Sequence, residues 1–222
     1  MIGGCDFPWR KSMKSKNTLW GLSAWLMAGC LGFVGFQSLA SAEEALTAPQ
    51  KVIQLTANQL QVSLQKPEYK TNFKKATGLV DQIINPHVDF DRVSVLVLGK
   101  NWRTATPEQR EQFKQEFRML LIRTYTRAFT EYADWKIRYL PMEEDAGEKK
   151  VMVKTEILPS GGKPVAVNYR MIQDGNDWKV FDILIEGISL LQNYRTSFSD
   201  ELEQSGSLDQ LISHLSERNA GS

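Results

Sequence analysis

A change of hydrophobic period near residue 132 constrains this chain more than any other feature. Upstream of it, Thr106-Pro107-Glu108-Gln109 has the composition of a helix start: a threonine cap, proline at the first helical position, and a glutamine placed to complete a capping box. Phe113, Phe117, Leu120, Leu121, Tyr125, Ala128, Phe129 and Tyr132 then recur at three- and four-residue spacing. That stripe predicts an aromatic-faced helix of about 26 residues, roughly 39 Å long, which must face something large and apolar. Downstream the period falls to two, most cleanly in Val151, Val153 and Thr155 and in Val165, Val167, Tyr169 and Met171. Turn signals at Asp145-Ala146-Gly147, Ser160-Gly161-Gly162 and Asp174-Gly175-Asn176-Asp177 divide this region into strands over about 135–142, 148–158, 164–173 and 177–185. Connections this short imply an antiparallel meander of four strands.

Helices flank the strands on both sides. From Thr47 to Ile84 the pattern is helical, with Val52, Ile53, Leu55, Leu60, Val62 and Leu64 in one segment and Phe73, Leu79, Val80, Ile83 and Ile84 in the next, divided at Lys66-Pro67. Asn85-Pro86 ends the second segment. Asp89 then caps a short apolar helix through Val93, Val95, Leu96 and Leu98 to Gly99, whose missing Cβ suits a helix stop, and a break is expected at Lys100-Asn101. After Glu186-Gly187 a last helical region carries Ile188, Leu190, Leu191 and Phe198, then Leu208, Leu211, Ile212 and Leu215 past a break at Gly206. Helices, strands, helices is an α+β order. The expected architecture is a curved four-stranded antiparallel sheet packed with helices from both ends of the chain, a cone-shaped scaffold with extra helices.

The first 42 residues read as an address rather than as fold. Arg10, Lys11, Lys14 and Lys16 precede an apolar run from Leu19 to Phe36, and Ala40-Ser41-Ala42 places small residues where a signal peptidase reads, so cleavage is expected near Ala42-Glu43, with export to the periplasm. Met13, followed by Lys14 and Lys16, makes a more ordinary start than Met1, and residues 1–12 carry no fold argument. Two other uses of the same run stay open: retention as a membrane anchor, since 18 residues approach the length needed to span, and a lipoprotein box at Leu26-Met27-Ala28-Gly29-Cys30. Against the second, Leu31 to Phe36 continue apolar where a polar tether is normal. The remaining 180 residues, 43–222, are one domain by length.

Both cysteines, Cys5 and Cys30, lie in the leader, so the domain has neither disulfide nor thiolate chemistry. The leader also takes four of the 27 basic and one of the 26 acidic residues, leaving 23 against 25 and a slightly negative domain with nothing to recruit nucleic acid. His87 and His214 have no ligand-like spacing, there is no glycine-rich phosphate loop, Ser189, Ser197 and Ser205 lie near no nucleophile motif, and Glu143-Glu144-Asp145 reads as a solvated turn. No catalytic residue and no metal site are expected. Asp182, an acid inside the apolar run Val180 to Leu191, is the exception to weigh. Alternating with Val180 and Leu184, it serves either as a capping or sheet-edge hydrogen-bond acceptor, or as the base of a small-molecule enzyme with Tyr125 or Tyr169 as proton donor.

What remains is apolar surface on a curved sheet opposite a long aromatic helix, which closes as a core or leaves a cleft. At about 0.8 kcal/mol per buried methylene, two sixteen-carbon chains in water cost on the order of 25 kcal/mol, so only an enclosing protein carries such a molecule between membranes. Several strings, taken in order, bear on that choice: Val88-Asp89-Phe90, Val97-Leu98-Gly99-Lys100-Asn101-Trp102, Ala105-Thr106-Pro107-Glu108-Gln109-Arg110 with Phe113 and Phe117, Trp178-Lys179-Val180-Phe181-Asp182 running into Glu186-Gly187-Ile188-Ser189, and the closing Gly206-Ser207-Leu208-Asp209-Gln210-Leu211-Ile212. Together they resemble the MlaC, or toluene-tolerance, family of periplasmic phospholipid-binding proteins, from about Val52 to Leu215.

The resemblance implies a deep pocket for the acyl tails of a diacyl phospholipid, whose headgroup stays outside, in a monomeric carrier that maintains outer-membrane lipid asymmetry. It implies two partners: an inner-membrane ATP-driven (ABC) transporter complex with a lipid-binding ring domain, and an outer-membrane lipoprotein associated with a porin. No cofactor is implied beyond the phospholipid. By matching position the pocket contacts fall on Tyr125 and Ile188. Leu121, Phe129, Val153, Val167 and Tyr169 are added from the aromatic stripe and the alternating strands, Leu98 and Leu191 from the flanking helices, and Trp102 and Arg103 as candidates for the pocket mouth; each of these serves equally as ordinary core.

Overall fold

The computed structural model describes residues 45–131, 135–142 and 147–221. The leader with Cys5 and Cys30, Tyr132 and the acidic turn Glu143-Glu144-Asp145 lie outside the described residues. The fold that follows is that of the unit Leu46–Ser222.

Among the described residues, eight helices and five strands appear in the order α1 (Ala48–Leu64), α2 (Pro67–Thr71), α3 (Phe73–Ile84), α4 (Phe90–Leu98), α5 (Lys100–Thr104), α6 (Pro107–Glu131), β1 (Trp135–Tyr139), β2 (Lys150–Pro159), β3 (Val165–Asp174), β4 (Asp177–Ile185), β5 (Ile188–Ser189), α7 (Leu190–Ser205) and α8 (Leu208–Ala220), with one 3-10 turn at Asn85–His87. No helix among the described residues is long and apolar enough to cross a membrane. The sheet is an antiparallel meander, β1-β2-β3-β4-β5.

Local chemistry sets the helix ends as expected. Thr106 N–H donates to Gln109 Oε1 and Gln109 N–H to Thr106 Oγ1, the two bonds of a capping box. Asp89 accepts from the Arg92 N–H and also pairs with its guanidinium. Gly99 stops α4 at φ 53, a backbone conformation that favours glycine. The break expected at Lys100-Asn101 falls one residue earlier, at Gly99, and no loop follows it. The chain leaves Gly99 directly into the single turn of α5, held by the Trp102 N–H to Gly99 carbonyl bond.

The sheet has five strands where alternation predicts four. Ile188 and Ser189 do not open the last helical region but pair with β4, Ile185 opposite Ile188 and Leu184 opposite Ser189. The turn between them is Glu186-Gly187, both at positive φ, 50 and 81. That pair of left-handed residues is the two-residue hairpin that matches strand twist. Glu186 tolerates the conformation because its carboxylate accepts from the Ala166 N–H at 2.6 Å, and its own N–H donates to the Ala166 carbonyl.

Three packed cores hold the unit together. The largest lies wholly among helices: Val93, Val97, Leu98, Phe113, Phe117, Phe198, Leu211, Ile212 and Leu215. There Phe113, Phe117, Tyr194 and Phe198 form a ring cluster with centroids 5.2–5.8 Å apart, most pairs edge to face. The first half of the aromatic stripe on α6 therefore faces α7 and α8. A second core joins Leu60, Leu64, Ala76, Val80, Ile83, Phe90 and Ile122 from α1, α3, α4 and α6. A third sets Ile53 of α1 on Val153, Met171 and Val180 of the sheet.

Candidate functional site

Residues paired across an antiparallel ladder share a face, so the register sorts the sheet into two. On one face a row crosses all five strands: Tyr139, Thr155, Val167, Ile185 and Ile188. Parallel to it run Val153, Tyr169 and Ile183; Ile137, Ile157 and Val165; and Val151, Met171 and Val180. None of these residues is charged. The other face carries Arg138 and Glu156, Lys154 and Asn168, and Arg170 and Asp182.

The apolar face is divided by what covers it. Helix α1 packs on the Val151, Met171 and Val180 end through Ile53. Toward the other strand ends, Ile137, Ile157, Val165 and Ile185 are half-buried and belong to none of the three packed cores. Ile188 is 48% exposed at the sheet edge. Tyr125 of α6 is likewise half-buried and outside the three cores. A neutral apolar surface held apart from the packed interior is what a chain presents to an apolar ligand.

The phenols on this face stay neutral. Burial pushes the Tyr139 hydroxyl up to about 12, and burial together with neighbouring Tyr139 raises Tyr169 further, against a weaker opposing hydrogen bond with Thr155. The buried Thr155 hydroxyl donates to the Val167 carbonyl at 2.6 Å, which satisfies a polar group in the middle of the apolar row.

Among the residues singled out from sequence, Val153, Val167, Tyr169 and Ile188 lie on this face, but Val153 is fully buried in the third core and Tyr169 packs against it, which leaves Val167 and Ile188 on the part outside the cores. Leu121 and Phe129 pack on the core shared by α1, α3 and α6, and Leu121 also touches the helical one. Leu98 is buried in the helical core and Leu191 packs against it, away from the sheet rows. Trp102 packs on that same core, with the Arg110 guanidinium 5.4 Å from its ring and bonded to its carbonyl. Arg103 is exposed and its carbonyl accepts from Arg110. These two therefore fix the corner where α5 turns into α6. Ile137, Tyr139, Thr155, Ile183 and Ile185 join the face without having been singled out; the same alternation that exposed Val153 and Val167 covers them.

Asp182 lies on the opposite face from Val180. The register slips between Arg170 and Met171, leaving Phe181 as the extra residue of a bulge, so Val180 pairs with Met171 and Asp182 with Arg170. Expecting Val180 and Asp182 on one face fails for that reason, because one inserted residue reverses the alternation. Asp182 is thereby separated from Tyr169. Its carboxylate accepts from the Leu191 N–H at 3.1 Å, the Ser189 hydroxyl at 2.8 Å and Arg170 Nη1 at 3.1 Å. This is the partner set of a residue that ties the start of α7 to the sheet, the capping role. His214 bonds Glu201 at 2.8 Å on the surface of the α7–α8 pair.

The fold and this face define a class: an α+β domain that keeps a neutral apolar sheet surface outside its packed cores. The chain belongs to the MlaC family, whose model (MlaC protein) matches residues 54–217. It is 30% identical over 172 residues to the toluene tolerance protein ttg2D of Pseudomonas putida, covering 76% of this chain and 80% of that protein. It is 26% identical over 179 residues to the intermembrane phospholipid transport system binding protein MlaC of Haemophilus influenzae, covering 77% and 82%. Among solved structures, the phospholipid-binding protein of Ralstonia solanacearum, in complex with a phospholipid, superimposes with a TM-score of 0.73 at 33% identity, covering 79% of this chain and 98% of that one.

Proposed function

We propose that this chain is a periplasmic phospholipid carrier, exported and cleaved near Ala42-Glu43, which shuttles diacyl phospholipid between the inner and outer membranes and so maintains outer-membrane lipid asymmetry. The observation that carries the reading is the row Tyr139–Thr155–Val167–Ile185–Ile188, which crosses the sheet without a charge, next to half-buried isoleucines outside every packed core. Acyl tails lie along this row and against Tyr125. Ile188, exposed at the edge strand, stands at the rim where tails give way to headgroup. The exchange partners are an inner-membrane ABC transporter with a lipid-binding ring domain and an outer-membrane lipoprotein–porin complex. The relatives' names support this assignment, and no step requires a catalytic residue.

Native mass spectrometry of the processed protein, purified without detergent and then extracted with organic solvent, tests the reading. The expected result is a mass excess of one phospholipid. Tyr125→Glu should remove it while the domain stays folded, because an unpaired carboxylate beside acyl chains is costly to bury. A wild-type protein that is empty, or that yields no phospholipid on extraction, overturns the assignment.

A further inference from the structure

Helix α1 is apolar on two sides. Ile53, Leu60 and Leu64 face the packed interior, whereas Leu55 and Val62 are 66% and 68% exposed. Spaced two turns apart, these two lie on one line along the helix. Lys51, Asn58 and Gln59 fall beside that line, Lys66 follows the helix end, and all four are exposed. Helix α1 carries no carboxylate. Lys70 on α2 and Lys74 on α3, both exposed, continue the basic character along the chain, and Glu68, the first carboxylate after the helix, is 4.0 Å from Lys75.

We propose that the outer face of α1 is a docking surface for an anionic phospholipid bilayer. Leu55 and Val62 enter the boundary between headgroups and acyl chains while the lysines meet lipid phosphates. Large apolar side chains flanked by lysine and amide, with no acid, are the composition of helices that lie in the plane of the interface. Each lysine also gains from the negative potential of an anionic surface. A second copy of the chain fits this face poorly, since stacking two α1 faces brings lysines against lysines. Two apolar side chains give attachment that reverses readily, which suits a protein that must leave the membrane again. Tail binding on the sheet is a separate matter, so this surface stands or falls independently of the carrier reading.

The exported protein, its amino terminus defined by mass, is sedimented with vesicles of phosphatidylglycerol and phosphatidylethanolamine, and with vesicles of phosphatidylcholine alone. Binding is expected to the anionic vesicles only, to weaken as salt is added, and to fall by about tenfold or more in Leu55→Glu/Val62→Glu. Both positions are solvent-facing, so the variant should match wild type in thermal unfolding and still carry phospholipid. Charge reversal in Lys51→Glu/Lys66→Glu should abolish the preference for anionic vesicles. Equal binding to both vesicle types, or undiminished binding by the Leu55/Val62 variant, overturns the proposal. So does a concentration-dependent dimer in ultracentrifugation that this variant abolishes, since a second copy would then own the face.

Discussion

With its side chain 1% exposed, Asp182 accepts hydrogen bonds from the Ser189 hydroxyl, the Leu191 N–H and Arg170. The Arg170 end is 44% exposed, so solvent screens the ion pair and the two bonds toward α7 dominate. Asp182→Ala should therefore lower unfolding stability by about 2 kcal/mol, the cost of removing the acceptor of the half-buried Ser189 hydroxyl and the Leu191 N–H. Asp182→Asn, which keeps one acceptor oxygen, should lose less. Denaturant titration reads both effects, and bound phospholipid should be unchanged in the folded fraction. Loss of lipid at full stability would instead place Asp182 in the site. The sequence makes an acid inside Val180 to Leu191 conspicuous, but it cannot show which way that acid points. Val180-Phe181-Asp182-Ile183 reads as unbroken alternation, and the inserted Phe181 is decided by packing: its ring sits against the helical core of Val93, Phe113 and Phe198.

At the scale of elements, α1 is clasped to the free edge of the sheet by two glutamines. Gln50 Nε2 donates to the Leu140 carbonyl at 2.9 Å and Gln61 Nε2 to the Trp135 carbonyl at 2.6 Å. The spacings match, because the helix between the glutamines rises about 16.5 Å and the strand between the carbonyls spans about 16.5 Å. Side-chain amides thus satisfy carbonyls that an edge strand would otherwise offer to another chain. Removing both in Gln50→Ala/Gln61→Ala should cost about 2 kcal/mol. It should also speed amide hydrogen exchange in α1 and β1, with α8 unaffected as the internal control; slow exchange in α1 despite the substitutions would mean that Ile53 and Leu60 alone hold it. Helix α1 itself is plain in the sequence from its apolar spacing. Its clasps are not, because Gln50 and Gln61 look like polar filler and their partners lie 90 and 74 positions away. Short elements escape for a different reason. Helix α5 and strand β5 are one turn and two residues long, below the window in which any period can register, and Ile188 starts a run whose later members are helical.

Taken whole, the molecule gathers its helices into packed cores and leaves part of its sheet half-buried outside them, and that contrast separates a ligand site from a core. Val165 is half-buried on the apolar face, in the row of Ile137 and Ile157. In a close-packed interior, Val165→Trp would force its neighbours off their rotamers and cost about 1–3 kcal/mol. On a surface reserved for acyl chains the indole takes the place of the ligand, so two quantities should move in opposite directions. Lipid occupancy by native mass spectrometry should fall, while the thermal midpoint of the delipidated protein should hold or rise. Wild type should behave the other way. Ligand present at a hundredfold excess over Kd adds about 2.7 kcal/mol, which for a chain of this size is a rise of roughly 5–10 °C over the delipidated form. Comparing both proteins with and without lipid makes four midpoints. Tails on the sheet face require the wild-type gap to close in Val165→Trp from below, by the delipidated form gaining stability. If instead it closes from above, or the variant loses stability with its lipid still bound, Val165 is core and the tails lie elsewhere.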